Sequence, residues 1–328
     1  MELMNNKENS FTFIDLFAGI GGFRAATEKA GGVCIYTSEQ DEFCKQTYTA
    51  NFSNHHPVAG DITRIDAEEI PDHNLLLSGF PCQSFSHAGL KMGFSDKTRG
   101  TLFFEISRIL KHHRPEAFLL ENVKGLKSHD NGNTLRTMIR VLRDLEYNLS
   151  VEVLNARHFG IPQNRERIFI VGFRDHSNFS FPCPPMKISR VGDILQEEVD
   201  EKYTISDKIW ASHKERKKRA RAKGYGFGYS IFNKDSSYTG TLSSRYYKDG
   251  SEILIEQKDK NPRMLTPREC ARLMGFPDTF KIPVSNTQAY RQFGNSVVIP
   301  VVEAITKEMS LHINQKKESK QCRISPTP

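Results

Sequence analysis

Apolar and polar positions in the first half of the chain alternate between short apolar runs and amphipathic stretches. Apolar runs of four to eight residues, as at 11–17 and 117–120, are typical of buried parallel strands. Residues 101–113 and 133–145 instead repeat apolar side chains at helical spacing. Further strands are predicted at 33–37, 75–77, 151–154 and 168–171, and a further helix at 23–30. This alternation predicts an α/β fold with a mostly parallel sheet and helices on both faces.

Length and composition limit the class of protein. A chain of 328 residues has room for about two domains, and 38% hydrophobic with 26% charged residues is ordinary for a globular protein. No apolar run approaches the roughly 18 residues of a membrane helix. The first eight residues are polar and lack the apolar core of a signal peptide. We therefore expect a cytoplasmic protein without a membrane partner.

Cysteine spacing and net charge give less information about the function. The six cysteines show no zinc-ligand spacing, so we expect free thiols and no metal site: Cys34, Cys44, Cys82, Cys183, Cys270 and Cys322. A net charge of +7 is compatible with a polyanionic partner but does not distinguish one from a merely basic protein.

A glycine-rich turn follows the first strand, at residues 18–22, and leads into a helix. Such a turn lets the backbone approach a ligand closely. Glu39 lies twenty positions past Gly19, where an acid can hold ribose hydroxyls. Arg24 stands where a dinucleotide motif needs its third glycine, which argues against NAD or FAD. Together with Asp61, after the segment at 58–62, the pattern indicates an adenosine pocket.

Two further motifs each follow an apolar run. The pentapeptide at 79–83 contains Cys82, and Glu121 opens the triplet at 121–123. Both should lie at the carboxyl ends of strands, where open α/β sheets bind ligands. A thiol beside a carboxylate suits thiolate addition to a ring that is protonated as it is attacked. A lone cysteine is more often a small core residue, but Pro81 before it and polar residues after it favour a site.

The glycine-rich turn and the motifs that follow it occur in the same order as those of the DNA cytosine-5 methyltransferases. The chain resembles in particular the bacterial type II restriction-modification methylases. The resemblance runs from about residue 11 to about residue 307, with a variable stretch at 180–240. It implies an S-adenosylmethionine-dependent methyltransferase fold, Rossmann-like, with a smaller DNA target-recognition domain. It also implies methyl transfer to carbon 5 of a cytosine flipped out of duplex DNA, through a cysteine adduct at carbon 6.

The resemblance carries roles onto particular residues. Cys82 is the expected nucleophile, Glu121 the acid at N3 of the base, and Asn122 a residue that helps to fix the base. Arg165 and Arg167, which alone would suggest a solvated charge cluster, jointly stabilise charge at O2 and position Glu121. The expected cofactor residues are Phe17, Gly19, Gly21, Glu39, Asp61, Ile62, Pro81, Leu102, Asn295, Ser296 and Val297. Gln40 stands where many relatives have an aromatic residue to cover the adenine.

Duplex DNA is the expected partner. Residues 83–100 contain three glycines and several cations, as expected of a loop that closes over the flipped base. The candidate DNA contacts are Gln83, Ser84, Ser86, Lys91, Arg99, Thr241, Leu242 and Arg245. A dense basic run at 214–223 is interpreted either as a solvated helix face or as a phosphate-binding surface.

The predicted domains are a discontinuous catalytic domain at 1–180 and 285–328, and a target-recognition domain with hinge at 181–284. The motif at 268–277 is expected to pack the small domain, and the motif at 288–299 to return to the large one. We expect a monomer, with a cognate restriction endonuclease acting separately. The alternatives are a tRNA-type cytosine-5 methyltransferase, a catalytically inactive DNA-binding regulator and, least favoured, a thiol-dependent nicotinamide oxidoreductase.

Overall fold

A large sheet organises the first half of the molecule. The computed structural model describes residues 11–52, 56–81, 102–175, 178–226 and 228–322. Within them, seven strands pair in the order β3-β2-β1-β4-β5-β7-β6. They are β1 (Phe11–Leu16), β2 (Gly32–Ser38), β3 (Val58–Ala59), β4 (Leu75–Gly79), β5 (Ala117–Val123), β6 (Asn148–Asn155) and β7 (Glu166–Phe173). The first five strands are parallel, whereas β7 is antiparallel to both of its neighbours. The predicted, mostly parallel sheet is confirmed.

Helices cover both faces of this sheet. On one face lie α1 (Gly22–Glu28) and α8 (Ile299–Cys322), which pack against each other. On the other lie α3 (Leu102–His113) and α4 (Asn133–Asp144). The sequence did not predict α2 (Glu42–Asn51), in which only Thr47 and Tyr48 are buried.

The apolar strand runs supply two separate cores because successive side chains of a strand point to opposite faces. Leu75 and Leu77 belong to the cluster on the α1 and α8 face, and Leu76 belongs to the cluster on the α3 and α4 face. All three side chains are fully buried. This two-sided burial explains why these strands appear in the sequence as unbroken apolar runs.

A second, smaller sheet follows in the chain. Its strands β8 (Ile231–Phe232), β9 (Leu254–Ile255) and β10 (Arg263–Met264) are ordered β10-β9-β8. The accompanying helices are α5 (Asp207–Ala222) and α6 (Pro267–Leu273), and α7 (Asn286–Asn295) then leads into α8. The apolar cluster under α1 continues into Leu242, Tyr246 and Leu265, so both parts share a core. Among the described residues, no helix combines the length and apolar character needed to cross a membrane.

Candidate active site

A cavity of about 700 Å³ opens where the central parallel strands end. This volume lies within the roughly 300–1,000 Å³ typical of small-molecule sites. The walls come from the turn after β1, the ends of β4 and β5, the start of β7 and the segment that joins α7 to α8. Ser244, Arg245 and Tyr247 add a wall from the smaller part of the molecule. The cavity therefore lies between the two sheets.

The turn after β1, which we call the cradle, leaves open space beside its backbone. Phe17 and Gly19 have φ values of 57° and 56°, in the left-handed region that a non-glycine residue adopts only under strain. A Cβ atom built on Gly19 would meet no atom within 4 Å, so open space lies over the turn. Oε2 of Glu39 accepts a hydrogen bond from the Gly19 amide at 2.7 Å, and Oε1 accepts one from the Asp41 amide at 2.8 Å. Because a carboxylate has about four acceptor sites, Glu39 can accept further bonds from a hydroxylated ligand.

Most residues that the sequence assigned to the cofactor line this cavity. They are Phe17, Gly19, Glu39, Pro81, Leu102, Asn295, Ser296 and Val297. Ser296 and Val297 approach the cradle closely, because a Cβ atom on Gly22 would lie 2.8 Å from both Ser296 Oγ and Val297 Cγ2. Residues 295–297, far along the chain, thus complete the wall of the cavity.

Gly21, Asp61 and Ile62 are not among the lining residues. A Cβ atom on Gly21 would overlap the Phe52 ring, so this glycine permits tight packing. The Asp61 side chain caps a short 3₁₀ turn by accepting the Thr63 amide at 3.0 Å. Ile62 is 2% exposed and packs into the core on the α3 face.

Glu121 lies at the inner end of the same cavity. It pairs with Gly79 across β4 and β5, and a Cβ atom on Gly79 would lie 3.8 Å from Glu121 Oε2. Arg167 Nε lies 3.1 Å from Glu121 Oε1. Burial raises the pKa of Glu121, and the nearby guanidinium groups of Arg167 and Arg165 offset this only in part. A carboxyl group with a raised pKa keeps its proton to higher pH and can donate it.

Asn122 holds the chain that leads towards Cys82. Its Nδ2 donates to the Phe80 carbonyl at 2.9 Å, and its Oδ1 accepts the Val123 amide at 2.8 Å. The segment between β4 and Pro81 is therefore fixed from the neighbouring strand. Several predicted residues lie outside the described part of the chain: Cys82, Gln83, Ser84, Ser86, Lys91 and Arg99.

Arg165 joins three distant segments. Its Nη1 donates to the Leu242 carbonyl at 2.8 Å, and its Nη2 donates to the carbonyls of Gly294 and Ser296 at 3.0 and 2.8 Å. The side chain is 2% exposed. The sequence assigned Arg165 and Arg167 jointly to Glu121, and the structure gives the ion pair with Glu121 to Arg167.

The segment with Thr241 and Leu242 is hydrogen-bonded to residues 163–164, directly before Arg165. Thr241 Oγ1 donates to the Asn164 carbonyl at 2.7 Å, and the Leu242 amide donates to Gln163 Oε1 at 3.0 Å. Leu242 is fully buried, whereas Arg245 is exposed and lines the cavity. The structure therefore places Leu242 as an anchor and leaves Arg245 facing the cavity.

Sequence reasoning missed a bridge across the cavity. Arg291 Nη2 of α7 donates to Tyr247 Oη at 3.2 Å, and the guanidinium lies 4.8 Å from the ring centroid. It also missed Gln292, which binds Thr47 Oγ1 and the Phe43 carbonyl and so joins α7 to α2. The only sequence signal for α2 is Asp41, whose side chain caps the helix. In the described residues no group of three or more His, Cys, Asp or Glu could hold a metal.

Solved structures share this fold. The Dnmt2 methyltransferase of S. pombe superposes with a TM-score of 0.75 at 23% identity, covering 93% of this chain and 99% of that one. A putative DNA modification methyltransferase from a prophage of E. coli gives a TM-score of 0.67 at 22% identity, with 91% and 98% covered. These likenesses show that the chain shares its fold with both proteins.

Sequence comparisons are more specific. The C-5 cytosine-specific DNA methylase family matches residues 11–311. The Type II methyltransferase M.NlaX of Neisseria lactamica is 57% identical over 313 residues, covering 94% of this chain and 99% of that protein. The Type II methyltransferase M.DsaV of Dactylococcopsis salina is 54% identical over 319 residues, covering 96% and 90%. The chain belongs to the C-5 cytosine-specific DNA methylase family and is a DNA cytosine-5 methyltransferase.

Proposed function

We propose that the cavity binds S-adenosylmethionine against the cradle and the target cytosine against Glu121. One pocket would then hold both the methyl donor and the methyl acceptor. The observation that carries this proposal is that Glu39 and Glu121 line the same cavity. The open space over Gly19 and the free acceptor sites of Glu39 fit an adenosine with its ribose hydroxyls. S-adenosylmethionine supplies an electrophilic methyl group on a positively charged sulfur.

The protein's own groups prepare the base to accept that methyl group. The Cys82 thiolate forms a bond to carbon 6 while Glu121 gives its proton to N3, which turns carbon 5 into a nucleophile. Methyl transfer to carbon 5 would leave S-adenosylhomocysteine as the product of the cofactor. The carbon-5 proton is then lost to solvent, the carbon–sulfur bond breaks and N3 returns its proton to Glu121, which restores the ring, the thiolate and the acid. Arg167 holds Glu121 in place and faces the charge at O2. A stacked cytosine cannot reach this depth, so the base is flipped out of the duplex.

The presence of a second, smaller sheet supports two domains with different roles. Residues 1–180 and 285–328 form the catalytic domain, and residues 181–284 form the target-recognition domain and hinge. Arg245, exposed on the cavity wall, is the foremost candidate for a base-edge contact. The relatives' names, Type II methyltransferases, support a modification enzyme of a restriction-modification system. We propose that it acts in the cytoplasm as a monomer, beside a separate endonuclease.

The experiment that tests the mechanism uses duplex DNA with 5-fluorocytosine at the target, once bisulfite sequencing has mapped that site in a host expressing the protein. Fluorine on carbon 5 cannot leave as a proton, so the adduct at carbon 6 should persist. With S-adenosylmethionine present, the wild type should migrate with DNA on a denaturing gel. Cys82→Ala should still bind DNA without becoming attached. Attachment of this variant, or no attachment of an active wild type, would contradict the role of Cys82.

An RNA substrate is the second candidate, and it is not favoured because the matching family and relatives are described as DNA or Type II enzymes. A methylation assay with labelled S-adenosylmethionine, run in parallel on duplex DNA and on tRNA, distinguishes a DNA substrate from an RNA substrate. We expect label in DNA alone. Label in tRNA alone would overturn the choice of substrate without affecting the cofactor site.

A further inference from the structure

The basic run at 214–223 falls on α5, which is anchored to the smaller part of the molecule on one side. His213 and Ala220 are the buried side chains of this helix. His213 Nε2 lies 3.1 Å from the Asp249 carbonyl, on the loop that follows Tyr246–Lys248. The opposite side of α5 is exposed.

Some of the cations on α5 are used to hold the helix in place. Arg216 pairs with Asp249 at 2.9 Å. Lys217 donates to the Tyr229 carbonyl at 2.9 Å, and its ammonium lies 4.1 Å from the centroid of the Tyr229 ring. Arg219 lies 3.4 Å from Glu215, one turn earlier. Each of these three charges therefore has a partner within the fold.

Three of the remaining cations form a line. Lys214, Lys218 and Arg221 are spaced i, i+4 and i+7 and so share one face of the helix, and all three are exposed. We call them the α5 stripe. Lys214 lies 5.4 Å from the Trp210 ring centroid. In the part of the chain that the structure describes, neither Lys218 nor Arg221 has a carboxylate or hydrogen-bond partner.

The charges of Lys218 and Arg221 form no ion pair that would stabilise the fold. Like charges one turn apart destabilise a helix by roughly 0.2–0.5 kcal/mol per pair. The stripe spans about 10 Å, at 1.5 Å per residue. Each strand of a DNA duplex carries a phosphate about every 3.4 Å along the axis, so this length matches about three phosphates.

The position of α5 also fits DNA. Asp249, which binds Arg216 and His213, directly follows the turn whose residues Arg245 and Tyr247 line the cavity. A duplex that delivers a base to this cavity therefore passes close to the helix. We propose that the α5 stripe binds backbone phosphates of the DNA that flanks the target, independently of sequence. This inference rests on the proposed function and adds a surface that fixes the duplex against the smaller domain.

The test compares two triple variants with the same charge change and residue spacing. Lys214→Gln, Lys218→Gln and Arg221→Gln remove the stripe, and glutamine retains helix propensity. The control is Arg136→Gln, Arg140→Gln and Arg143→Gln, which removes three arginines at the same spacing from α4. The probes are two fluorescent duplexes of equal length, one with the mapped site and one of arbitrary sequence. Binding is measured by anisotropy over a range of salt concentrations.

We expect the stripe variant to lose affinity for both duplexes by similar factors, because phosphate contacts carry no sequence information. The slope of log affinity against log salt should become shallower by about 2 to 3, since each phosphate contact contributes about 0.9. The control should keep the wild-type slope. An unchanged stripe variant, or equal losses in both variants, would overturn the inference. A wild type that binds neither duplex would instead refute the proposed function.

Discussion

Arg167 Nε lies 3.1 Å from Glu121 Oε1 across antiparallel strands, with Arg167 paired to Val123, two residues beyond Glu121. The two side chains therefore form a diagonal pair on one face of the sheet, a spacing that long side chains can span. The register of β5 and β7 fixes this geometry, so it does not depend on a loop. Glu121 is held in position before any substrate arrives.

Replacing Glu121 should test its role as an acid. Glu121→Gln should lower the single-turnover methylation rate by about 100- to 10,000-fold, the usual contribution of a general acid. The wild-type rate should fall as pH rises through the raised pKa of Glu121, and the variant should lack this decline. Glu166→Gln, at the position directly before Arg167 in β7 and paired with Lys124, is the control and should stay active. Equal rates in wild type and Glu121→Gln would remove the acid from the mechanism.

Replacing Glu39 should weaken the cofactor site. Glu39→Ala removes the carboxylate that holds the Gly19 amide and faces the cavity, and it should raise the Kd for S-adenosylmethionine at least tenfold, about 1.4 kcal/mol. Titration calorimetry measures this directly. Glu42→Ala, which removes an exposed carboxylate of α2 that binds Lys45, should leave the Kd unchanged. An unchanged Kd in Glu39→Ala would mean that the cofactor binds elsewhere.

A single methyl group should disturb the contact between α7 and the smaller domain. A Cβ atom on Gly294 would lie 2.4 Å from the Ser243 carbonyl and the Ser244 amide, which are main-chain atoms and cannot move aside singly. Gly294→Ala should lower the free energy of unfolding by about 1–3 kcal/mol. Gly60→Ala, where a Cβ atom meets nothing within 4 Å, should change it by less than about 0.5 kcal/mol. Equal denaturation midpoints in the two variants would contradict the close approach.

Asp15 should make stability depend on pH. Complete burial raises the pKa of its carboxyl to about 8, with Glu39 adding to the shift and Arg24 opposing it. Between about pH 4 and pH 8 the folded protein keeps a proton that the unfolded chain has lost, so stability falls as pH rises. Asp15→Asn cannot ionise, and its free energy of unfolding should gain on the wild type from pH 4 to pH 8. Denaturation at several pH values measures the difference, which would stay constant if Asp15 were ionised throughout.

The sequence predicted the elements whose apolar pattern is strong, including the strands buried on both faces and the amphipathic helices α3 and α4. Runs such as 117–120 are apolar because the sheet is covered on both sides, and β5 appears there. By contrast, α2 buries only Thr47 and Tyr48, so its apolar periodicity is too weak to detect. Glu39, directly after β2, and Glu121, near the end of β5, could be assigned because motif spacing and strand ends locate them. Glu39 and Glu121 accordingly line the cavity.

Contacts between distant segments could not be predicted from spacing. Nothing near Arg165 in the sequence indicates that its partners are carbonyls of residues 242, 294 and 296. Asp61 and Ile62 remain predicted cofactor residues, but the sequence does not indicate that Asp61 caps a short 3₁₀ turn or that Ile62 packs into the core. Local turn geometry of this kind depends on packing that one sequence does not reveal.

The cavity wall formed by residues 295–297 has a consequence for how the protein is made. The cradle, Glu39 and Glu121 are all synthesised well before the residues that face Gly22. Arg165 Nη2 likewise gains its partners only once Gly294 and Ser296 have been synthesised. A nascent chain therefore has no complete pocket before residues 295–297 have left the ribosome, and methylation can start only after that.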